Sequence, residues 1–404
     1  MLQVSGLSKS YSGVTLFSDI SFSVGRGEII GLVGRNGSGK TTLIKIILGL
    51  EGSDSGTMVV PKGYRLGYLD QHISFTKSTL LEECCQVLAE DERYDYYKAE
   101  KILFGLGFVE ADLTRPPAEF SGGFQLRINL TKTLLKNPDL LLLDEPTNYL
   151  DILSLRWLRS FLKSFRGEAI LITHDRGFLD TVTTHTMGIH RGRLMKTKGQ
   201  SEKYYAQLEL ESEVYEKTRK KQVKKVKEMQ NFVDRFGAKA TKAAQAKSVL
   251  RRIGKMTPMN EMTREQSLGF RFNYKPVAAK ALMQVEDIAF SYPDLDPLFN
   301  GLSFRIGPED RIAVIGRNGK GKTTLLNVLS GKAAPTAGAV RLHPGAAIGY
   351  YQQTNLKDLD PKKTVAAEIA DANSDLSISA SRGICGAMMF SGDLADKKIS
   401  VLSG

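Results

Sequence analysis

The sequence predicts an α/β fold of two repeated halves with a helical hairpin between them, and three observations carry that expectation. One nine-residue stretch occurs twice, as Gly34-Arg35-Asn36-Gly37-Ser38-Gly39-Lys40-Thr41-Thr42 and as Gly316-Arg317-Asn318-Gly319-Lys320-Gly321-Lys322-Thr323-Thr324. Runs of consecutive apolar residues, the pattern of strands buried on both faces, precede the first copy and recur at residues 140–143 and 169–172. Between the halves lies a lysine-rich segment whose apolar residues return every three or four positions, the period of a helix.

Each nine-residue copy satisfies the spacing Gly, four residues, Gly-Lys-Thr. Glycines let the backbone curl so that successive N–H groups point at phosphate oxygens. Lys40 or Lys322 then supplies positive charge to the β and γ phosphates, and Thr41 or Thr323 offers a hydroxyl to Mg²⁺. Residues 28–33 read as the buried strand before the first loop, and residues 41–50 as the helix whose positive N-terminus faces the anion. Residues 311–315 read as the equivalent strand before the second loop.

Composition bounds what such a chain does. A length of 404 residues calls for more than one domain at the usual ~150 residues each. A charged fraction of 25% with 42% hydrophobic residues suits a soluble globular protein. No apolar run approaches the roughly 20 residues of a membrane span, and Met1-Leu2-Gln3-Val4-Ser5 enters strand-like sequence without the apolar core of a signal peptide, so a cytoplasmic protein is expected. Cys84, Cys85 and Cys385 are too few and too badly spaced for a disulfide framework or a four-ligand zinc site, and read as buried thiols. The net charge of +12 is concentrated: residues 212–255 hold fourteen basic residues against four acids. The partner of that charge therefore meets the middle of the chain.

In chain order, short strands are expected at residues 2–4 and 17–24, with Tyr11 in the turn between them, either stacking on an adenine ring or packing on the sheet. Residues 66–71 read as a strand ending in Gln71, in reach of a metal-bound water, and residues 79–106 as helix. Ser121-Gly122-Gly123 opens a further helix over residues 128–135; alone it is an ordinary helix start or a second anion cradle. The four leucines at 140–143 form a buried strand that ends in Asp144, placed to hold Mg²⁺ through water, and Glu145, placed to polarise an attacking water. Residues 169–173 form another such strand and deliver His174, either structural or a ligand at the carboxyl end of a parallel strand.

The order phosphate loop, Gln71, Ser-Gly-Gly, Asp144-Glu145, His174 resembles the ATP-binding cassette ATPases, and Asp144-Glu145-Pro146-Thr147-Asn148-Tyr149-Leu150-Asp151 is similar to the run found in the F-type (ABC-F) proteins. The resemblance covers essentially the whole chain. It implies a P-loop NTPase fold with two tandem cassettes joined by a helical-hairpin linker: a first cassette over 1–200, a basic linker over 201–272 and a second, incomplete cassette over 281–404. It implies ATP and Mg²⁺ as ligands, Tyr11 and Tyr292 as adenine-stacking aromatics, Gln71 and Gln353 as metal-sensing glutamines, Ser121, Gly122 and Gly123 as the signature loop, Glu145 as catalytic base and His174 as γ-phosphate switch. The metal would be shared by Thr41, Gln71 and Asp144 in one half and by Thr323 and Gln353 in the other.

In the linker Val226, Met229, Val233 and Phe236, then Ala243, Ala246, Leu250 and Ile253, recur at helical spacing with Gly237 between the runs, which predicts a hairpin with an apolar seam and a lysine-rich outside. It is either a spacer or a surface for folded RNA, with Lys220, Lys221, Lys224, Lys225, Lys239, Lys242, Lys247, Arg251 and Arg252 as the candidate contacts. The resemblance implies ribosomal RNA or tRNA as that partner, and an ATPase acting on the ribosome in translation. The alternatives are the ATPase subunit of a membrane transporter, for which a basic linker is unexpected, and a DNA-binding ATPase of the same type.

A constant offset relates Gly34 to Gly316, Gln71 to Gln353 and Ser121 to Ser403, so the halves are repeats. Two departures from the family pattern follow. The extra helical arm that F-type proteins commonly carry in the first cassette is missing or reduced. The counterparts of Asp144, Glu145 and His174 fall beyond residue 404, so the first site is expected to draw only on Ser403 and Gly404 of the second half and this chain alone to turn over ATP poorly. Tyr149 and Phe124 stand where the family usually has histidine and often tryptophan.

Overall fold

A computed structural model describes residues 1–11, 14–35, 37–69, 74–92, 94–236, 243–254, 256, 270, 276–293, 295–351, 359–373 and 375–402. The chain divides into two compact units, residues 1–259 with 316–318, and residues 260–315 with 319–404.

The first unit runs β1 (Leu2–Tyr11), β2 (Val14–Val24), β3 (Ile29–Val33), α1 (Lys40–Ile47), β4 (Ser55–Val59), β5 (Leu66–Tyr68), α2 (Leu80–Cys85), α3 (Tyr96–Gly105), α4 (Gly122–Leu135), β6 (Leu140–Asp144), α5 (Ile152–Ser164), β7 (Glu168–Ile172), α6 (Arg176–Val182), β8 (His185–His190), β9 (Arg193–Lys198), α7 (Ser201–Phe236) and α8 (Ala243–Gly254). An antiparallel sheet has the order β2-β1-β4, and a six-stranded sheet has the order β5-β6-β7-β3-β8-β9, parallel except for β9 at its edge. Both faces of the larger sheet are covered. Ile30, Leu32, Leu140, Leu142, Ile170 and Ile172 pack toward β1, β2 and the apolar face of α1, while Ile29, Val33, Leu141, Leu143 and Leu171 pack into the core built by α2 to α6. Alternate residues of one strand point to opposite faces, so two layers of apolar partners require an uninterrupted apolar run. The four leucines of β6 meet that requirement, and each is at most 1% exposed.

Several expected elements differ in extent, α4 among them, which starts at Gly122 and not at residue 128. β1 and β2 continue across the expected turn, so Tyr11 ends a strand. The expected helix over 79–106 is broken: Thr79 caps α2 by accepting from the Glu82 N–H, and after a turn holding Glu90, Asp91 and Glu92 the chain restarts as α3. Glu92 and Asp95 both pair with Lys98, placing acids before the positive end of α3 where the dipole favours them. All three cysteines are buried free thiols.

Helix α7 grows out of this core. The Ser201 N–H and hydroxyl donate to Asp180 of α6 at 2.7 and 2.9 Å, the Arg176 guanidinium lies 4.6 Å from the Tyr205 ring, and Tyr204 is buried against Gly188, where any Cβ would collide with its ring. At 1.5 Å per residue the 36 residues of α7 span about 54 Å. It packs with α8 through half-buried Val226, Met229, Phe232, Val233, Val249 and Ile253. Leu250 was expected in the seam but is 51% exposed; Val249 faces inward instead, one residue around the helix. Gly237 and the side chains of Phe236, Ala243 and Ala246 lie outside the described set.

The second unit contains β10 (Met283–Phe290), β11 (Phe299–Ile306), α9 (Lys322–Leu329), β12 (Ala337–Leu342), α10 (Val365–Asp371) and α11 (Ile378–Ala387), with an antiparallel sheet of order β11-β10-β12 over a small core of Met283, Val285, Ile288 and Val328. The strand expected at 311–315 is not formed; Ile312 and Ile315 are 57% and 74% exposed. Its counterpart β3 is held between β7 and β8, and no described residue of the second unit pairs with 311–315 in that way. A short, largely apolar segment without ladder partners has no reason to stay extended.

One buried ion pair stiffens the helical layer. Glu83 of α2 is fully buried and binds Lys132 of α4 together with the N–H groups of Thr76 and Lys77. Burial raises its pKa, but Lys132 and the two N–H donors outweigh that and hold the carboxyl below the ordinary glutamate range. Its stabilisation is therefore present above that range and lost as pH falls through the lowered pKa. Lys132→Met, which strands a buried carboxylate, is expected to cost about 3–5 kcal/mol in denaturant unfolding at neutral pH. The cost should shrink at acid pH, where Glu83 becomes neutral; an unchanged midpoint at neutral pH would show that Glu83 does not depend on Lys132.

Candidate functional site

The parallel order β6-β7-β3 brings three strand ends side by side, with the loop before α1 after β3, Asp144-Glu145 after β6 and His174 after β7. Carboxyl ends of parallel strands are where such sheets collect ligands, because the strand bodies are sealed by apolar packing. Gly34, Gly37 and Gly39 have φ of 151°, 78° and 93°, and a Cβ on Gly34 would lie 2.7 Å from Ser38 Oγ and 3.1 Å from the Ile189 carbonyl. The loop therefore curls as tightly as the glycine spacing requires. Lys40 Nζ donates to the carbonyls of Gly34 and Arg35 at 2.8 and 3.0 Å, which holds its ammonium over the loop. Ser38 Oγ is buried with no hydrogen-bond partner, next to Gly34 at the start of the loop.

Thr41 Oγ1 donates to Asp144 Oδ2 at 2.9 Å, so the hydroxyl after the lysine and the acid at the end of β6 converge from elements far apart in sequence. Glu145 sits in the left-handed region at φ 51°, its N–H bonded to the Ile172 carbonyl at 2.9 Å. A non-glycine residue pays for that conformation, and here it turns the carboxylate away from β6 toward the end of β7. His174 meets it: the His174 N–H donates to Glu145 Oε2 at 3.4 Å, and the imidazole Nε2 lies 3.4 Å from Oε1. The second approach is not a hydrogen bond, and Glu145 Oε1 is left buried without a donor. Burial, with Asp144 adding repulsion, raises the Glu145 pKa above the ordinary glutamate range, against the opposing pull of His174 and Lys40. Burial lowers the Lys40 pKa, and Glu145 and Asp144 partly restore it.

These residues fit a magnesium nucleotide. Thr41 and Asp144 form an oxygen pair suited to a hard cation, Lys40 and Ser38 belong to a glycine-lined anion cradle, and Glu145 Oε1 is a buried acceptor in want of a proton donor, the position a water would take. Thr42 is half-buried beside them. Tyr11 is 43% exposed with Lys9 Nζ 4.9 Å from its ring centroid. Ser121 caps α4 through its backbone only, with Gly122 and Gly123 in the first turn. In the second unit Gly319 and Gly321 both have φ 78°, Lys322 and Thr323 open α9, and the Tyr292 hydroxyl lies 3.2 Å from Thr324 Oγ1, joining the aromatic to the helix after the loop. Lys320 and Thr323 are exposed. Gly316 and Asn318 precede these glycines in the loop. Asn36, Gln71, Gln353, Ser403, Gly404, Lys239 and Lys242 lie outside the described residues.

Residues 17–148 and 299–404 match the family model described as "ABC transporter", and residues 187–272 match a second model of that description. The chain is 33% identical over 449 residues to the ATP-binding protein YdiF of Bacillus subtilis (strain 168), covering 100% of this chain and 69% of that protein. It is 30% identical over 450 residues to ABC transporter F family member 5 of Arabidopsis thaliana, covering 100% of this chain and 65% of that protein. It belongs to the F subfamily of the ATP-binding cassette ATPases. The ATP-binding protein YbiT of Escherichia coli O157:H7 is 32% identical over 443 residues, covering 100% of this chain and 83% of that protein. This F-type chain spans 65–69% of the length of the first two of these relatives. ATP with Mg²⁺ is the ligand of the family's cassettes, in keeping with the donor set around Lys40.

Sequence reasoning missed the ties that hold the loops. Thr147 Oγ1 meets Thr173 Oγ1 at 2.8 Å, joining the turn after Glu145 to the end of β7. Asp175 caps α6 by accepting from the Phe178 N–H at 2.9 Å, directly after His174. The Asp-x-x-Phe spacing before a short helix was the available signal.

Glu145→Gln is expected to leave ATP affinity within about twofold and to slow phosphate release by about 10²–10⁴-fold, because the amide keeps the shape and cannot take a proton from water. With the Glu145 pKa raised, the acidic limb of the parent's rate profile should lie above the ordinary glutamate range, turnover falling as pH drops through it. Phosphate release by a chain with a complete second half, measured against pH, checks both; equal rates for parent and variant would remove Glu145 from the role of base.

Proposed function

We propose that this F-type protein hydrolyses ATP at the Lys40 site and uses the cycle to move its basic linker against the ribosome, through ribosomal RNA or tRNA. The observation that carries the chemical part is the convergence of Lys40, Thr41, Asp144, Glu145 and His174 at three adjacent strand ends. Lys40 neutralises the β and γ phosphates, Glu145 takes the proton of the attacking water, and His174 reports on the γ phosphate beside it. Mg²⁺, when bound, would offset the charge of the β and γ oxygens, with Thr41 and Asp144 to hold it.

The partner follows from charge and shape. Lys220, Lys221, Lys224 and Lys225 of α7, and Lys247, Arg251 and Arg252 of α8, are all exposed. A helix about 54 Å long that is anchored to the cassette at Ser201, Tyr204 and Tyr205 carries charge away from the nucleotide site and toward a large polyanion. RNA suits it better than base-reading of DNA, because a lysine-rich face recognises phosphate geometry rather than sequence. Among the described residues no helix is long and apolar enough to cross a membrane.

Sedimentation with ribosomes, with and without a non-hydrolysable ATP analogue, tests the reading directly, and DNA and membrane vesicles serve as competing partners. Changing Lys220, Lys221, Lys224 and Lys225 together to Gln is expected to weaken ribosome binding and to lower the log–log salt slope by roughly 0.7–0.9 per lost phosphate contact, with ATP affinity unchanged. An unchanged slope would make the hairpin a spacer.

A further inference from the structure

Arg127 heads the largest fully buried side chains among the described residues; it is 1% exposed, and the chemistry above does not use it. It lies in the second turn of α4, the helix that begins at the Ser121 loop. Its Nη1 donates to the Leu106 carbonyl at 2.7 Å and to Ser154 Oγ at 3.2 Å, its Nη2 lies 3.7 Å from Asp151 Oδ2, and its guanidinium carbon lies 4.5 Å from the Phe124 ring centroid. Asp151 in turn caps α5 through the Ser154 N–H at 2.9 Å, and Ser154 Oγ shares the Leu106 carbonyl at 3.0 Å. One planar cation thus joins the start of α4, the end of α3 and the start of α5, and the start of α5 directly follows the Glu145 turn.

The rest of the Ser121 loop is tied to the same helix. Gln125 Nε2 donates to the carbonyls of Ala118 and Phe120, and Phe124 packs edge-on against Phe108 at 5.1 Å. Burying a guanidinium and a carboxylate costs solvation free energy, and an apolar pair of similar volume would fill the space at least as well for stability. What the apolar pair would not supply is a fixed fork of donors that sets three backbone segments in one register.

We propose that Arg127 is a positioning residue for ATP hydrolysis, locking the loop at 121–123 and the segment from Glu145 to Asp151 into one rigid block so that neither moves without the other. The role in turnover rests on the ATPase reading; the mechanical coupling does not.

The test uses a chain with a complete second half and compares the parent with Arg127→Lys, Arg127→Met and the double variant Arg127→Met/Asp151→Asn, which removes both charges and keeps a capping side chain on α5. Three quantities are read: amide hydrogen exchange at 121–126 and 145–151, affinity for a fluorescent ATP analogue, and phosphate release at saturating ATP. In the double variant both segments should exchange at least about tenfold faster while the strands of the central sheet keep their protection. ATP affinity should stay within about twofold while phosphate release falls about tenfold or more, a kcat loss without a KM loss, and Arg127→Lys should fall between parent and Arg127→Met. Parent-like exchange at either segment in the folded double variant, or in Arg127→Lys should the double variant not fold, overturns the coupling. Parent-like release alongside faster exchange overturns the positioning role, as a purely structural brace would give. If the parent itself releases no phosphate above the Glu145→Gln background, the ATPase reading fails, and the exchange comparison still decides the coupling.

Discussion

Leu140, Leu141, Leu142 and Leu143 are sealed on both faces of the six-stranded sheet, and the site depends on that burial. A strand packed between two apolar layers has no free surface along its length, so polar side chains can emerge only where it ends. β6 ends in Asp144, β7 leads into Thr173 and His174, and β3 runs into the glycine loop. Parallel pairing in register then puts these ends side by side, and Asp144 opposite Ile172 fixes how far Glu145 reaches toward His174. The left-handed backbone at Glu145 is the local cost of turning one carboxylate across the sheet while its neighbour stays aimed at Thr41.

The electrostatics of the site follow from the same enclosure. Lys40, Asp144 and Glu145 lie close together and are partly withdrawn from water; burial lowers the lysine's pKa and raises that of Glu145. A raised pKa makes Glu145 a better proton acceptor than an exposed glutamate once it is ionised. Asp151 is the contrasting case. Burial alone would raise its pKa, but the N–H groups of Ser154 and Asn318, the Ser154 side chain and, least of these, Arg127 hold it below the ordinary aspartate range, which suits a carboxylate that stays charged and keeps a helix start in place. Two buried carboxyls six residues apart are thus set for different work by their neighbours.

Helix α7 connects this site to the basic surface. The chain passes from His174 through the Asp175 cap into α6, and α6 grips the first turn of α7 through Asp180 and Arg176, one helical turn apart on one face. Tyr204, buried where Gly188 leaves room for its ring, adds a hydrophobic anchor. These contacts hold the base of the helix, and its length of about 54 Å carries the lysines away from that base.

The amino-acid sequence by itself determined the chemistry and the period of each element. Glycine spacing at 34–42 favoured a curled loop because residues without a Cβ accept positive φ at little cost, and the unbroken leucines followed by Asp144 fitted a strand buried on both sides. Net charge along 212–255 likewise needed no coordinates, since it is a sum over residues. Tertiary structure decided what depends on neighbours from elsewhere in the chain. The same apolar pattern that makes β3 a central strand leaves 311–315 unpaired, because a strand exists through its ladder partners and not through its own composition. Val249 rather than Leu250 entered the hairpin seam because rotation about a helix axis is set by the surface it meets. Only the folded chain brings Leu106, Asp151 and Ser154 around Arg127, and burial then makes that cation a tie between two loops.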